Sequence, residues 1–212
     1  MRSERRAPLG KGDKGQLIAL EGIDGAGKST QAKLLAEALR RAGRVVTITR
    51  EPTDGPHGAK IRRLSSEGAK LSPEEELDYF IADRREHVRD VISPALARGE
   101  VVITDRYYLS NVAYQGARGL SPESILERNE ALFPPPAPAI LLQTSADLGL
   151  ERVRSRGGAL NQAYEHEAFL ERVAAIYAGL QCDYLVRVVA DGPPEVVHAS
   201  VMGALAPWIA SA

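Results

Sequence analysis

Five short apolar runs divide the chain and predict buried β-strands. They are Leu17–Glu21, Val45–Thr49, Val101–Thr104, Ala139–Gln143 and Leu185–Val189. Each run is apolar on both faces and is bounded by Gly, Pro or polar residues, which is typical of a parallel sheet covered on both sides. Because helical patterns separate the runs, the sequence predicts an α/β fold with a five-stranded parallel sheet flanked by helices on both faces.

One helix is marked clearly at both of its ends. Ser72 is a candidate N-cap, Pro73 occupies the first helical position, and Glu75 completes a capping box. Gly99 is a typical stop signal, so we predict a helix over Pro73–Arg98.

The apolar stripe of that helix carries one charged residue. Arg84 lies on the stripe four residues after Phe80, so the two side chains project from the same face. A guanidinium in such a place needs a partner or must face a cavity.

Length and charge limit what the chain can be. Its 212 residues suit one domain, which we assign to residues 16–212 after a flexible basic tail at residues 1–15. The formal net charge of −1 predicts no general attraction to nucleic acid, and no apolar run is long enough to predict a membrane span. Cys182 is the only cysteine, which excludes an intramolecular disulfide and fits a cytoplasmic protein.

A glycine-rich segment follows the first predicted strand. Gly22, Ile23, Asp24, Gly25, Ala26, Gly27, Lys28 and Ser29 match the pattern G-x-x-x-x-G-K-[ST], and Thr30 follows. Glycines let consecutive backbone N–H groups wrap a phosphate without side-chain clashes. We expect Lys28 to reach the β- and γ-phosphates of a nucleoside triphosphate and the Ser29 hydroxyl to bind Mg²⁺. This phosphate-binding segment, the P-loop, does not by itself fix the reaction. The chain has no Asn-Lys-x-Asp element of a GTPase and is short for a large ATPase, so the sequence favours a small metabolite kinase.

Charged residues follow two further strands. Asp105 and Arg106 come at the end of the third strand, while Glu51 and Pro52 follow the second. Ligands bind at the carboxyl ends of parallel strands, so we expect these residues beside the phosphates. Asp105 is predicted to hold Mg²⁺ or to orient the acceptor, and Arg106 to neutralise charge on the transferred group. A structural ion pair at the strand end is the alternative.

Four segments together resemble the thymidylate kinase family of P-loop nucleoside monophosphate kinases. They are the P-loop with Glu21, Arg50-Glu51-Pro52, Phe80-Ile81-Ala82-Asp83-Arg84, and Asp105-Arg106-Tyr107 continuing to Ala113-Tyr114-Gln115-Gly116. The resemblance implies transfer of phosphate from ATP to dTMP, with ADP and dTDP as products and Mg²⁺ as the cofactor. Alternatives are a kinase for another pyrimidine nucleotide or deoxynucleoside, or a weakly catalytic nucleotide-binding regulatory module.

The resemblance also implies roles for individual residues. Phe80 would stack on the pyrimidine, Arg84 would contact its O4 edge, and Asp24 would contact the sugar 3′-hydroxyl. The acceptor phosphate would bind Arg106 and Arg62, with Arg63 as the less favoured choice. The side chains expected beside the base and sugar are Asn111, Tyr114 and Gln115, with Tyr114 selecting deoxyribose. Taken alone, Phe80 and Tyr114 also fit a plain core, and Arg62 a solvated helix face.

A small lid is predicted at about residues 152–163. Because the P-loop carries Gly25 where some relatives have an arginine, the resemblance implies that Arg154 or Arg156 supplies catalytic positive charge. Residues 159–163 lack the second basic element common in bacterial relatives, so the choice between the two arginines stays open. The resemblance further places the adenine of ATP beside Asp191, although a plain β–α turn fits that residue equally well, and it implies a homodimer.

Overall fold

The computed structural model describes residues 15–67, 71–155 and 163–209. The strands are β1 (Gln16–Glu21), β2 (Val46–Arg50), β3 (Val101–Asp105), β4 (Ala139–Gln143) and β5 (Leu185–Val189). The helices are α1 (Lys28–Arg41), α2 (Pro56–Ser66), α3 (Pro73–His87), α4 (Ser93–Ala97), α5 (Tyr108–Gly116), α6 (Pro122–Leu132), α7 (Ala146–Ser155), α8 (Ala163–Gly179) and α9 (Pro194–Leu205). The flexible tail predicted at residues 1–15 lies outside the described residues except for Gly15.

The strands form one parallel sheet in the order β2-β3-β1-β4-β5. Every residue of the central strand β1 is buried, and because alternate side chains point to opposite faces, both faces of the sheet are covered. The predicted α/β architecture is therefore confirmed. Within the described ranges, no helix combines the length and apolar character needed to span a bilayer.

The register of the sheet brings the predicted polar residues to one edge. Asp105 pairs with Leu20 of β1 on one side and with Arg50 of β2 on the other. The P-loop, which follows β1, and Glu51, which follows β2, therefore start beside the end of β3. Pairing continues to Arg50 and Asp105, so these two residues belong to the strands, one residue beyond the predicted ends.

The long helix predicted over Pro73–Arg98 is interrupted. Its capping box is present, since the Ser72 Oγ accepts from the Glu75 backbone N–H at 3.1 Å and the Ser72 N–H donates to Glu75 at 2.9 Å. After α3, however, a π-helical turn at Val88–Ile92 precedes α4. Pro94 explains the change, because proline has no N–H for an intrahelical hydrogen bond and its ring clashes with the preceding turn.

Candidate active site

The P-loop connects β1 to α1, and at several points its backbone has a conformation that only glycine adopts easily. Gly25 has a φ of 81°, and a Cβ on it would lie 2.0 Å from the carbonyl oxygen of Gly149. Conversely, a Cβ on Gly149 would lie 2.6 Å from the carbonyl oxygen of Asp24. The loop thus packs backbone against backbone on α7, which explains why no larger residue stands at position 25.

Lys28 is buried beneath the loop. Its Nζ donates to the carbonyl oxygens of Gly22 at 3.0 Å and Ile23 at 2.8 Å. Burial and the neighbouring charge of Arg106 lower the pKa of Lys28 to about 8, against the opposing effect of nearby carboxylates. A bound phosphate would add negative charge beside the ammonium group and favour its protonated form.

Ser29 and Asp105 lie side by side at the base of the loop. The Ser29 Oγ donates a hydrogen bond to Asp105 Oδ2, and both residues line a cavity of about 490 Å³, which we call the P-loop cavity. A hydroxyl and a carboxylate are oxygen ligands of the kind that Mg²⁺ prefers. Their proximity fits a magnesium ion held between the protein and a nucleotide phosphate.

Arg106 has a φ of 73° and is the one described non-glycine residue with positive φ. Such a conformation is strained by about 1–3 kcal/mol and often marks a functional position. It directs the guanidinium back over the P-loop, where Nη2 donates to Asp24 at 2.6 Å and Nη1 to the Gly22 carbonyl at 3.2 Å. The Tyr114 hydroxyl accepts a further hydrogen bond at 3.2 Å.

Asp24 stays ionised in this arrangement. Burial would by itself raise the pKa of Asp24, but the charges on Arg106 and Lys28 and the hydrogen bond from Arg106 outweigh it, so the pKa lies below its ordinary value. The P-loop therefore presents one carboxylate next to two cations.

A buried carboxyl group lies behind Arg106. Glu21 is completely buried and accepts hydrogen bonds from the Ser110 hydroxyl at 2.6 Å, the Tyr177 hydroxyl at 3.0 Å and the Tyr107 N–H at 3.0 Å. Ser110 in turn accepts from Arg106 Nη1 at 3.0 Å. Burial raises the pKa of Glu21 to about 7, opposed by these hydrogen bonds and by the charge of Arg106.

A second cavity of about 390 Å³ opens between α3 and α5. Its volume is in the range typical of small-molecule sites. We call it the α3–α5 cavity; its lining residues are Asp24, Glu51, Pro52, Glu76, Phe80, Arg84, Arg106, Tyr107, Ser110, Asn111, Tyr114, Gln115, Arg118 and Phe169. The structure thus brings together all the residues predicted for the base and sugar.

Arg84 has the partner that its place on an apolar stripe requires. Its Nε and Nη2 donate to Glu51 Oε2 at 2.9 and 2.6 Å, and its Nη1 donates to Asn129 Oδ1 at 2.7 Å. The other oxygen of Glu51 lies 2.9 Å from His87 Nδ1. These contacts use three of the five N–H donors of the guanidinium, and they fix Arg84 in the wall of the α3–α5 cavity.

Arg62 reaches the P-loop cavity from α2. Its Nη1 donates to the carbonyl oxygens of Thr53 at 2.5 Å and Pro52 at 3.1 Å, and its Nη2 lies 3.1 Å from Asp54. Asp83 fixes the same loop by accepting from the Thr53 N–H at 2.8 Å. Arg62 is therefore positioned by the loop after β2, at the edge of the cavity where phosphate is expected.

A third, smaller cavity lies between α1 and α9, and we call it the α1–α9 cavity. It is lined by Gly25, Ala26, Gly27, Thr30, Gln31, Arg152, Ala190, Gly192, Pro194 and Val197. Arg152 donates to the carbonyl oxygens of Ala190 at 2.8 Å and Asp191 at 2.9 Å, which ties α7 to the loop after β5. Asp191 contributes its backbone carbonyl to this contact; the residue is exposed and is not among those that line the cavity.

The predicted lid is described only at its start. Arg154 is exposed on the last turn of α7, and Val153 is the α7 residue that lines the P-loop cavity. Arg156 and most of residues 152–163 lie outside the described residues.

The sequence is similar to known proteins over most of its length. The profile of the family described as thymidylate kinase matches residues 20–201. The chain belongs to the thymidylate kinase family. A thymidylate kinase of Desulfotalea psychrophila is 47% identical over 171 residues, covering 81% of this chain and 84% of that protein. A thymidylate kinase of Xanthomonas campestris pv. campestris is 46% identical over 196 residues, covering 91% of this chain and 85% of that protein.

Sequence reasoning gave no role to several residues that support this kinase site. The sequence did contain a signal for Glu21, since a carboxyl group at the end of an apolar strand must find buried partners. It contained no signal for His87 or Arg152, because the partners of these two residues lie 36 and 38 residues away in the chain.

Proposed function

We propose that this member of the thymidylate kinase family transfers the γ-phosphate of ATP to dTMP, giving ADP and dTDP. One observation carries the proposal: the P-loop cavity and the α3–α5 cavity meet, and Asp24, Glu51, Pro52 and Arg106 line both. A triphosphate on the P-loop and a monophosphate in the second cavity would face each other beside Arg106. The relatives named thymidylate kinase support dTMP as the acceptor and favour none of the alternatives.

The proposed transfer is direct and in line. An acceptor phosphate is already ionised near neutral pH, so the reaction needs no general base. Catalysis then depends on positioning and on stabilisation of charge. Lys28 lies under the loop that would hold the donor phosphates, and Arg106 lies where donor and acceptor phosphates would approach one another.

The divalent cofactor is proposed to be Mg²⁺, held by Ser29 and Asp105. The ion would supply positive charge beside the donor phosphates. Ser29 and Asp105 would provide its two protein oxygen ligands, and the hydrogen bond between them keeps these side chains together.

Recognition of the acceptor is assigned to the α3–α5 cavity. Phe80 lines it and is proposed to stack on the pyrimidine, while Arg84 is proposed to donate to O4. Tyr114 is proposed to select deoxyribose, and burial keeps its hydroxyl neutral by raising its pKa to about 12. Asp24 is proposed to contact the 3′-hydroxyl, and Arg62 the acceptor phosphate.

The donor base is proposed to bind at the α1–α9 cavity, beside the loop that contains Asp191. Arg154 and Arg156 remain the proposed sources of positive charge from a lid that closes over the phosphates. We also propose a homodimer, on the basis of the resemblance to the family. A cytoplasmic location is proposed on the basis of the single cysteine.

An acceptor panel tests this function. ADP formation from ATP is measured with dTMP, dUMP, dCMP, UMP and thymidine, each with and without Mg²⁺. The proposal predicts the highest kcat/KM with dTMP and no turnover without the metal. A clear preference for thymidine or for a cytosine nucleotide would assign the site to a different kinase, and ATP binding without ADP production would indicate a regulatory module.

A further inference from the structure

Glu21, the last residue of β1, lies at the centre of a buried hydrogen-bond network. Its Oε1 accepts from the Tyr107 backbone N–H at 3.0 Å, and its Oε2 accepts from the hydroxyls of Ser110 at 2.6 Å and Tyr177 at 3.0 Å. The side chains of Glu21, Ser110 and Tyr177 are all buried. The strand β1 and the helices α5 and α8 therefore meet at one carboxyl group.

The carboxylate fixes the direction of the Ser110 hydroxyl. An ionised carboxylate only accepts hydrogen bonds, and a serine has one hydroxyl hydrogen and two lone pairs. The Ser110 hydrogen therefore points to Glu21, and the lone pairs of its oxygen remain for donors. Arg106 Nη1 donates to this oxygen at 3.0 Å, so Ser110 links the guanidinium to Glu21.

Glu21 also holds the backbone of Arg106. The Tyr107 N–H that it accepts belongs to the peptide bond directly after Arg106. The Arg106 N–H donates to the Leu20 carbonyl oxygen at 2.9 Å, and its carbonyl oxygen accepts from Thr104 Oγ1 at 2.8 Å. A residue with a φ of 73° keeps that conformation only where its surroundings hold it, so these contacts stabilise the strained residue.

Ser110 differs from the other side chains that hold the guanidinium. Arg106 also donates to Asp24 and Tyr114, but both of these are proposed to contact the sugar of the acceptor. A bound acceptor would compete with Arg106 for them. Among the described side chains that accept from Arg106, Ser110 is the one with no substrate contact assigned to it, so it can hold the guanidinium while the acceptor is bound.

We propose that Glu21 is a positioning residue for phosphoryl transfer: it holds Arg106 beside the phosphates through the Tyr107 N–H on the backbone side and through the Ser110 hydroxyl on the side-chain side. This inference rests on the proposed function, because that function assigns Arg106 to the phosphates.

The Glu21→Gln variant alters one side of this support. A backbone N–H cannot reverse its direction, so the amide oxygen must face Tyr107 and the amide NH₂ group must face Ser110 and Tyr177. The two hydroxyls then lose the acceptor that they share, and the Ser110 hydrogen is no longer directed away from Arg106. The backbone contact is kept, which isolates the effect that passes through Ser110.

A double-mutant cycle tests the role of Glu21. The kcat with saturating ATP and dTMP is measured for wild type, Glu21→Gln, Ser110→Ala and the double variant at pH 8, above the pKa of Glu21 of about 7. We expect Glu21→Gln to lower kcat roughly tenfold in the wild-type background and less than about twofold in the Ser110→Ala background, since residues of one network are not additive. A purely structural role would lower kcat by the same factor in both backgrounds.

Glu100→Gln is the matched control for the carboxylate. Glu100 also accepts from a hydroxyl, that of Thr47 at 2.5 Å, and from an arginine, Arg98 at 2.6 Å. It precedes β3 and so lies at the end of the sheet opposite to the site. We expect the kcat of Glu100→Gln to equal that of the wild-type protein.

Tyr177→Phe allows the same cycle if Glu21→Gln does not fold. It keeps the buried ring and removes the hydroxyl that donates to Glu21 and lies 3.0 Å from Ser110 Oγ. We expect kcat to fall about threefold in the wild-type background and not to fall further in the Ser110→Ala background. Tyr108→Phe removes a hydroxyl that donates to Tyr184 outside the network and serves as the control.

The outcomes separate this inference from the proposed function. An unchanged kcat in Glu21→Gln and Tyr177→Phe, or an equal loss in the presence and absence of the Ser110 hydroxyl, would overturn the inference. If the wild-type protein itself fails to phosphorylate dTMP in the acceptor panel, the proposed function fails instead, and that result requires no variant.

Discussion

At the scale of single residues, Arg106 shows how local strain and long-range contacts combine in the site. Its left-handed backbone is unfavourable on its own, yet the guanidinium contacts Asp24, Ser110 and Tyr114 and the backbone of the P-loop. A planar guanidinium makes several such contacts at once, whereas an ammonium group is a single point charge. The arrangement therefore requires arginine and not only positive charge.

Replacing Arg106 with lysine tests this requirement. We expect Arg106→Lys to lower kcat with dTMP roughly a hundredfold, in the range seen when one group that stabilises the transition state is removed. Steady-state kinetics with saturating ATP measures the effect. Arg128→Lys, which alters an ion pair with Asp78 at the surface, serves as the control. A kcat within twofold of wild type for Arg106→Lys would contradict the proposed role.

Glu21 gives a second prediction at this scale, which concerns pH. Its pKa is about 7 in the folded protein and 4.5 ordinarily. Between these values the unfolded chain has released the proton while the folded protein keeps it, so the free energy of unfolding falls as pH rises and levels off above pH 7. The shift corresponds to a fall of about 3 kcal/mol.

The Glu21→Gln variant removes this titration. We expect its free energy of unfolding to decrease less than that of wild type from pH 5 to pH 8, and urea unfolding at both pH values measures the difference. Because all other titrating groups are shared, the comparison isolates Glu21. Parallel pH profiles for the two proteins would show that the carboxyl group is already ionised at the lower pH.

At the scale of elements, the P-loop and α7 depend on one another. The loop has glycine at position 25, and α7 has glycine at position 149, because their backbones are in direct contact. The same helix leads into the lid segment and holds the loop after β5 through Arg152. The position of α7 therefore affects both the phosphate site and the cavity assigned to the donor base.

A methyl group at position 149 would separate these two elements. We expect Gly149→Ala to lower kcat/KM for ATP by roughly tenfold, since its Cβ would lie 2.6 Å from the Asp24 carbonyl oxygen and the loop must move. The matched control is Gly203→Ala in α9, where a Cβ meets nothing within 4 Å apart from its chain neighbours and the backbone of its own helix, and a small gain in stability is expected. Unchanged kinetics in Gly149→Ala would show that the loop tolerates the shift.

At the scale of the whole molecule, the sequence was informative wherever a signal is local. The apolar runs predicted the strands to within about one residue, and the capping box predicted the start of α3, because both depend on neighbouring residues. The interruption of the long helix was missed although Pro94 is a local signal. The partners of Arg84 could not be predicted, since Glu51 and Asn129 lie 33 and 45 residues away and only the fold brings them together.

The most direct test of the central claim follows the phosphate itself. ATP labelled in the γ-phosphate is incubated with dTMP, Mg²⁺ and either the wild-type protein or Lys28→Ala, and the labelled products are separated. The proposed function predicts labelled dTDP with the wild-type protein and a strong loss of it with Lys28→Ala, because Lys28 lies under the loop that would hold the transferred group. Release of labelled free phosphate without labelled dTDP, or undiminished dTDP formation by Lys28→Ala, would contradict it.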